Sequence, residues 1–516
     1  MSQLAQNTTP KARSRGLLPL AGVPCVVVGD ATTAALAARL IPEGGPIVAG
    51  LVLTGIGEKG HTGLIGVPTL GSLEALERVR EQMGVRVAIV SLPLDDHAGI
   101  AKVRAAIHEA GLEERFLPPV VDLLKRQPPV LVGLGGPPEG NGGATMSTAP
   151  VIDLQALIGR SMRQTDEASL RELIQGRRVL VTGAGGSIGS ELARLCARFA
   201  PSSLILMERA ENALFEIDRR LAWARPEVTR RVLLHDVADR DGTRRLLHAE
   251  RPQVVFHTAA HKHVPLMEDH PAQAIANNLL GTASLVDAAI ECGAHRVVLV
   301  STDKAVAPRS VMGATKRLAE AYGIAADRKA REEGKPTRVA IVRFGNVLGS
   351  AASVLRIWSA QVAEGQPVTI TDQHMTRYFM TIGEAALLVA HAGALEPEDE
   401  PGVFVLDMGE PVEIATLAER FIKAHGLEAI WGEHSGPGQH TILETGVRPG
   451  EKLHEALVHA AEELVETDCP GVLRLRGADD EPDGLSAAQD LGKLAGSADR
   501  QAVLDRLARW IPSLGR

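Results

Sequence analysis

Val179-Leu180-Val181-Thr182-Gly183-Ala184-Gly185-Gly186-Ser187-Ile188-Gly189 is the stretch on which the reading of this chain turns. Its branched apolar residues make a buried strand, Gly183, Gly186 and Gly189 make a tight turn, and the residues after them read as a helix. Glycines at that spacing let backbone N–H groups approach a pyrophosphate. The first turn of the helix adds unpaired donors and the positive end of its dipole. Glu208 closes the next apolar run; a carboxylate there can accept hydrogen bonds from a ribose and would repel a 2′-phosphate. The unit therefore predicts a dinucleotide site with NAD favoured over NADP, although Arg209 follows directly. Asp236-Val237, after a further short strand, meets the adenine or caps a helix.

Working outward, the same alternation of strand and helix continues. Strands are predicted at 177–181, 203–207, 254–257, 297–300 and 339–343, with helical segments between them, which is the pattern of a doubly wound parallel sheet. A weaker copy precedes it, with strands at 24–29, 46–53 and 86–90 and a helix at 31–40. Its Gly29-Asp30-Ala31-Thr32-Thr33 lacks the glycine spacing, and Asp30 would face a phosphate unfavourably, so this site reads as degenerate. The fold class is α/β: two Rossmann-like doubly wound parallel-sheet domains, the second with a smaller C-terminal substrate-binding region. The expected boundaries are a disordered tail at 1–15, the first domain at 16–126 and a Pro/Gly-rich linker at 127–150. The second domain follows at 151–475, and a loop and helix at 476–516, the helix lying around 500–510.

Composition narrows the function classes. The chain has 516 residues, 45% hydrophobic and only 3% aromatic, so its cores rest on Ala, Val, Leu and Ile. A net charge of −8 with no basic block excludes a nucleic-acid partner and requires an anionic substrate to be met by locally placed Arg or Lys. Cys25, Cys196, Cys292 and Cys469 show no paired spacing, so neither a disulfide frame nor a zinc site is predicted. No apolar stretch is long enough to cross a bilayer. A cytoplasmic chain with no integral membrane segment is the expectation.

The chemistry is carried by Ser301-Thr302-Asp303-Lys304 and by Met312-Gly313-Ala314-Thr315-Lys316. The second motif has methionine where a Tyr-x-x-x-Lys pattern has its phenol, so the usual acid/base is missing. Thr302, Asp303 and Lys304 offer a hydroxyl, a carboxyl and an amine side by side after a strand, where ligands of parallel sheets bind.

From about 153 to 460 the chain resembles the extended short-chain dehydrogenase/reductases that act on nucleotide sugars, and more narrowly the UDP-N-acetylglucosamine 4,6-dehydratases of bacterial capsule and O-antigen synthesis. The matching stretches are VLVTGAGGSIGSEL (179–192), HTAAHKHVPLME (257–268), NNLLGT (277–282), STDKAV (301–306), MGATKRLAE (312–320), VRFGNVLGS (342–350), MTRYFMTI (375–382) and RPGEKLHE (448–455). The resemblance implies a redox-neutral cycle on a UDP-sugar with bound NAD, and a homo-oligomer paired through helices flanking the catalytic lysine. It implies Asp303 as acid for the departing C6 hydroxyl and Lys304 as base at C5, if burial or neighbours lower its pKa. Thr302 would hydrogen-bond the C4 oxygen, Lys316 would hold the nicotinamide ribose, and Met312 would argue for retained C5 configuration. Ser187, Ile188 and Ala259 join the cofactor set. Lys262, Asn278, Asn346, Arg377, Arg448 and Glu451 form the substrate set, the arginines for the diphosphate. Asn278 reads equally as a residue that orders the loop. The histidines His257, His261 and His263 are not read as metal ligands, because the chemistry needs no metal. Where the family often has Gly-Ser-Val-Ile-Pro after GNVLGS, this chain has Ala351-Ala352-Ser353-Val354-Leu355-Arg356. The alternatives are a nucleotide-sugar epimerase, which the missing phenol disfavours, and a non-catalytic NAD- or UDP-sugar-binding regulator.

Overall fold

The computed structural model describes residues 23–29, 34, 47–54, 69–92, 97–116, 157, 166–350, 353–395, 400–432, 436, 438–459, 462–477 and 482–514. The chain divides into two units, residues 1–131 and 132–516. The expected tail and linker, and nearly all of the helix expected at 31–40, lie outside the described residues.

In the first unit five strands form one sheet: β1 (Pro24–Gly29), β2 (Ile47–Leu53), β3 (Thr69–Ser72), β4 (Val87–Ser91) and β5 (Glu113–Phe116). Their order is β3-β2-β1-β4-β5, and every pair is parallel. Alternate residues of β1 enter two cores. Val26 and Val28 pack with Leu76 and Val79 of α1 (Leu76–Met83) and with Val103 and Ile107 of α2 (His97–Glu109), while Cys25 and Val27 fill the other side. Burial on both faces is why β1 reads as an unbroken apolar run. The reading missed β3 and β5, which are short and carry Gly71 or several charges.

The second unit is built on a nine-stranded sheet. Its strands are β6 (Arg178–Thr182), β7 (Ser203–Glu208), β8 (Arg230–Leu234), β9 (Val254–His257), β10 (Arg296–Val300), β11 (Arg338–Arg343), β12 (Gly402–Leu406), β13 (Glu463–Glu466) and β14 (Val472–Arg476). The order is β13-β14-β12-β11-β10-β9-β6-β7-β8. β6 to β12 pair parallel, and only the β12–β14 and β13–β14 pairs are antiparallel. The sheet order reverses beside β6, between β7 on one side and β9 on the other. Loops leaving the carboxyl ends of those strands therefore diverge and open a crevice.

Five helices matter to the site: α3 (Ser187–Arg198), α4 (Gly281–Glu291), α5 (Val311–Glu332) and the pair after the main fold, α6 (Gly484–Gly492) with α7 (Arg500–Trp510). α5 starts sharply because Ser310 Oγ accepts from Gly313 N at 3.1 Å and Glu268 Oε1 accepts from Val311 N at 2.7 Å. Leu318, Tyr322 and Ala326 of α5 share one core with Ala487 and Leu491 of α6 and Leu504 and Leu507 of α7. The region around 354–444 has a core of its own around Trp358, Phe421, Leu417 and Ile442. It is covered by a three-stranded sheet of 368–370, 439–444 and 428–431.

Candidate active site

β6 delivers Thr182 to the switch in strand order, and Gly183 turns the chain there with φ +64°. A side chain at Gly183 would press on Ala259 N at 2.8 Å, and one at Gly189 would overlap the Gly183 carbonyl oxygen. The glycines are thus required by close packing of turn, helix and the loop after β9. α3 begins at Ser187 with Gly186 as an extended N-cap, no side-chain cap and no acidic residue in its first turn. With neither a side-chain cap nor an acid there, the positive dipole end suits an anion. Ile188 packs at the edge of the core beneath, beside the turn.

Glu208, at the end of β7, braces this turn. It accepts from Gly185 N at 3.2 Å, Arg209 N at 2.9 Å and Ala210 N at 3.0 Å. An open hollow beyond it is lined by Arg209, Ala210, Leu234, His235 and Asp236. Asp236 caps Ala238 N at 3.0 Å and pairs with Arg209 at 3.6 Å. The side chain of Val237 is 4% exposed within the core, which leaves only its backbone for an adenine. The glycine cradle, the helix end without a side-chain cap and the acid at the end of β7 together fit a dinucleotide.

His257 closes β9 wholly buried. Its Nδ1 meets Thr182 Oγ1 at 2.8 Å and its Nε2 meets Thr282 Oγ1 at 3.1 Å, which ties β6 to α4. Burial first, and then the nearby Lys316, push its pKa down to about 3, so it stays neutral. Among the described residues, no group of three or more His, Cys, Asp or Glu converges as a metal site would need. Asn278, expected among the substrate contacts, is fully buried and spent internally. It accepts from His261 N at 2.8 Å and donates to His261 O at 3.1 Å and Thr315 Oγ1 at 3.2 Å. It fastens the loop after β9 to α5, and so acts by positioning.

The turn after β10 holds Asp303 and Lys304, the pair expected to act as acid and base. Asp303 is fully buried, and its Oδ1 accepts from Thr302 Oγ1 at 2.8 Å and from Lys304 Nζ at 3.0 Å. Its Oδ2 has no partner and lies close to Gly345, where a side chain would sit 3.2 Å from it. The one proton of Thr302 is spent on Asp303, so what Thr302 offers a sugar oxygen is a lone pair. Lys304 Nζ also donates to Asn346 Oδ1 at 3.3 Å and lies 3.7 Å from Glu455 Oε1. Burial works against its ammonium, but the charges of Asp303 and Glu455 outweigh that and push its pKa up. This corrects the expectation of a lowered pKa: the opposing carboxylate of Glu455 arrives from a distant loop.

One helix over, Lys316 is buried on α5 and donates to Val300 O at 2.7 Å. Burial pulls its pKa down to about 8 against the charge of Glu320. Met312, one turn earlier, is 4% exposed and packs in the core under the turn. Glu320 anchors α5 through Arg343, with contacts of 2.9 Å to Nε and Nη2, and Arg343 in turn meets Glu462 at 3.1 Å. The sequence reading singled out none of these three.

The substrate-side arginines divide. Arg377 is buried and donates to Thr376 O at 2.7 Å, Leu453 O at 3.0 Å and Lys452 O at 2.8 Å. It braces the 448–455 loop and is not open to a phosphate, contrary to expectation. Arg448 is exposed, with Glu451 folded back at 3.5 Å from its N–H. Arg356 Nε and Ser353 Oγ are both buried without a hydrogen-bond partner, at the start of the helix 354–364. Partial burial and Arg356 together push the Lys262 pKa down. Arg356 was quoted only within a departure from the family pattern; its orphaned nitrogen marks it now.

A family model described as polysaccharide biosynthesis protein matches residues 179–476. The chain belongs to that family. It is 37% identical over 416 residues to the probable polysaccharide biosynthesis protein EpsC of Bacillus subtilis, covering 79% of this chain and 63% of that one. It is 36% identical over 397 residues to the capsular polysaccharide biosynthesis protein CapD of Staphylococcus aureus, covering 77% and 61%. The chain thus spans less than two thirds of the length of these two relatives. Relatives over a little more than half the chain carry two chemistries in their names. One is a UDP-N-acetylglucosamine 4,6-dehydratase (inverting) of Campylobacter jejuni, 31% identical, covering 55% of this chain and 77% of that one. The other is a UDP-glucose 4-epimerase of Rickettsia canadensis, 32% identical, covering 56% and 80%. The X-ray structure of Pen from Bacillus thuringiensis aligns with a TM-score of 0.51 at 27% identity, over 60% of this chain and 88% of that one. Among the described residues no helix is long and apolar enough to cross a membrane.

Proposed function

We propose that this chain is a nucleotide-sugar 4,6-dehydratase that uses NAD and acts on UDP-N-acetylglucosamine, giving a 4-keto-6-deoxy sugar for bacterial surface polysaccharide. The observation that carries the reading is the Asp303–Lys304 pair, a buried carboxylate 3.0 Å from a partly buried ammonium, with a methionine where a phenol would stand. Gly183, Gly186, Gly189, Ser187, Ala259, Glu208 and Lys316 would hold the dinucleotide. When bound, it supplies the acceptor for the C4 hydride and the donor that returns it.

The chain's own groups account for the protons at C5 and C6. Dehydration needs a carboxylic acid at the C6 hydroxyl and a neutral amine at C5–H. Asp303 and Lys304 form an ion pair without substrate; one proton crossing their hydrogen bond yields both required forms with no change in net charge. Lys304 then takes the C5 proton, Asp303 gives its proton to the departing hydroxyl, and water leaves. The pair is back as carboxylate and ammonium, and Lys304 returns a proton to C5. The C4 hydroxyl's own proton leaves to the substrate phosphate or solvent when C4 is oxidised, and Lys304, neutral after protonating C5, takes one back from solvent, which closes the cycle. Thr302 accepts the C4 hydroxyl's hydrogen bond and holds Asp303. A single base on one face of the sugar returns the proton where it took it, so C5 configuration is retained. An epimerase has to cycle a proton at the C4 oxygen, and Met312 cannot do so.

Arg356, Ser353, Lys262 and Arg448 are the groups for the diphosphate. The reading is tested by incubating the protein with UDP-N-acetylglucosamine and NAD and following the sugar by NMR. A 4-keto-6-deoxy product is expected, lost in Asp303→Asn and Lys304→Ala while both variants still bind NAD. Wild-type rates in either variant would remove that residue from the mechanism, and UDP-N-acetylgalactosamine as product would install the epimerase reading.

A further inference from the structure

Glu455 is the last residue of the 448–455 loop stretch and is almost wholly buried, with a side chain 3% exposed. Its carboxylate lies between two ammonium groups: Oε1 is 3.7 Å from Lys304 Nζ, and Oε2 is 3.3 Å from Lys452 Nζ. A carboxylate held there far from water is costly unless the cations stay charged. The loop that carries it is fixed on several sides. Arg377 donates to Leu453 O and Lys452 O, Lys452 Nζ donates to Val306 O at 2.7 Å, and Thr376 Oγ1 meets His454 Nδ1 at 2.9 Å.

We infer that Glu455 is a positioning residue that holds the proton on Lys304, so that the 448–455 loop, and not the catalytic turn alone, sets the charge state of the acid–base pair. At 3.7 Å the contact is too long for a hydrogen bond, so Glu455 acts as a charge and does not take the proton itself. The groups facing Lys304 are Asp303 on its own turn, Asn346 on the strand 346–348, Glu455 on the loop, and Arg377, whose charge opposes both carboxylates. Lys452 divides the attention of Glu455. The two lysines therefore compete for one carboxylate, which gives the inference a sign in each direction. Its consequence for turnover rests on the dehydratase reading; the titration of Lys304 does not.

The test is a lysine-selective 13C NMR titration of the full chain, with the Lys304 signal assigned by Lys304→Arg. In Glu455→Gln the Lys304 signal should titrate about one to three pH units lower than in wild type. In Lys452→Gln it should titrate no lower than in wild type. The Lys316 signal, titrating near 8, should stay in place in both, because its neighbours are elsewhere. An unmoved Lys304 in Glu455→Gln overturns the inference, as does a Lys316 that moves with it or a Lys452→Gln that lowers Lys304. With UDP-N-acetylglucosamine as substrate, where the shared proton of the pair is required, the descending limb of kcat/KM against pH should move to lower pH in Glu455→Gln and return in Glu455→Asp. Absence of wild-type turnover would contradict the dehydratase reading while the titration still decides the inference.

Discussion

Single residues in this site are set by neighbours that chemistry, rather than sequence distance, brings close. His257 shows it for stability. Its pKa near 3 lies below the ordinary value, so between pH 6.5 and 3 the unfolded chain binds a proton that the folded chain does not. Stability therefore falls as pH drops through 6.5, by about 2 kcal/mol from this group on going from pH 7 to 5. Urea denaturation should show His257→Gln less stable at pH 7 but losing less on acidification; an unchanged pH slope would contradict this. Lys316 works in the other direction. A buried ammonium whose pKa is about 8 costs stability below that pH, and the cost fades as pH rises toward the ordinary lysine value. Lys316→Met should therefore raise the thermal midpoint of the cofactor-free protein at pH 7, with the gain shrinking by pH 9.5, while ending turnover. The Thr302-Asp303-Lys304 run was legible from the sequence, since three reactive side chains follow a strand. The raised pKa of Lys304 was not, because Glu455 reaches it only through the fold.

Elements carry the cofactor cradle. The strand β6, the turn at Gly183 and the helix α3 were all readable, because glycine spacing and branched apolar residues act locally. Gly189→Ala should break the cradle, since its methyl would overlap the Gly183 carbonyl oxygen. Calorimetric titration should find NAD affinity reduced by at least tenfold; unimpaired binding would contradict the role given to the turn. The helix α5 was readable only in part. Its sharp start depends on Glu268, whose carboxylate caps Val311 from a different segment. Arg377 was read as a diphosphate ligand from the resemblance of its stretch and the fit of an arginine fork to phosphate oxygens. Its three carbonyl partners come from strand 376–377 and the 448–455 loop, a pairing that no local pattern reveals.

At the scale of the molecule, alternating strands and helices announced both parallel sheets, and the order β3-β2-β1-β4-β5 of the first unit recurs in β8-β7-β6-β9-β10 of the second. The return of the chain to the main sheet was hidden. Val403-Phe404-Val405-Leu406 rejoins beside β11, and β13 and β14 close the edge antiparallel, after a stretch whose pattern looked irregular. The helices α6 and α7 belong to the same core as α5. A side chain at Gly484 would overlap Tyr322 N, so Gly484→Val should lift α6 away, destabilise the second unit and lower soluble yield. A variant as stable as wild type in thermal melts would contradict that packing role.

The claim at the centre is that the Asp303–Lys304 pair exchanges protons with a hexose while the cofactor ends each turnover unchanged. Proton NMR of UDP-N-acetylglucosamine incubated with the protein and NAD in D2O tests it most directly. The account predicts a 4-keto-6-deoxy product carrying one solvent deuterium at C5 with the original configuration there. A C4 epimer with its C5 proton intact would contradict it.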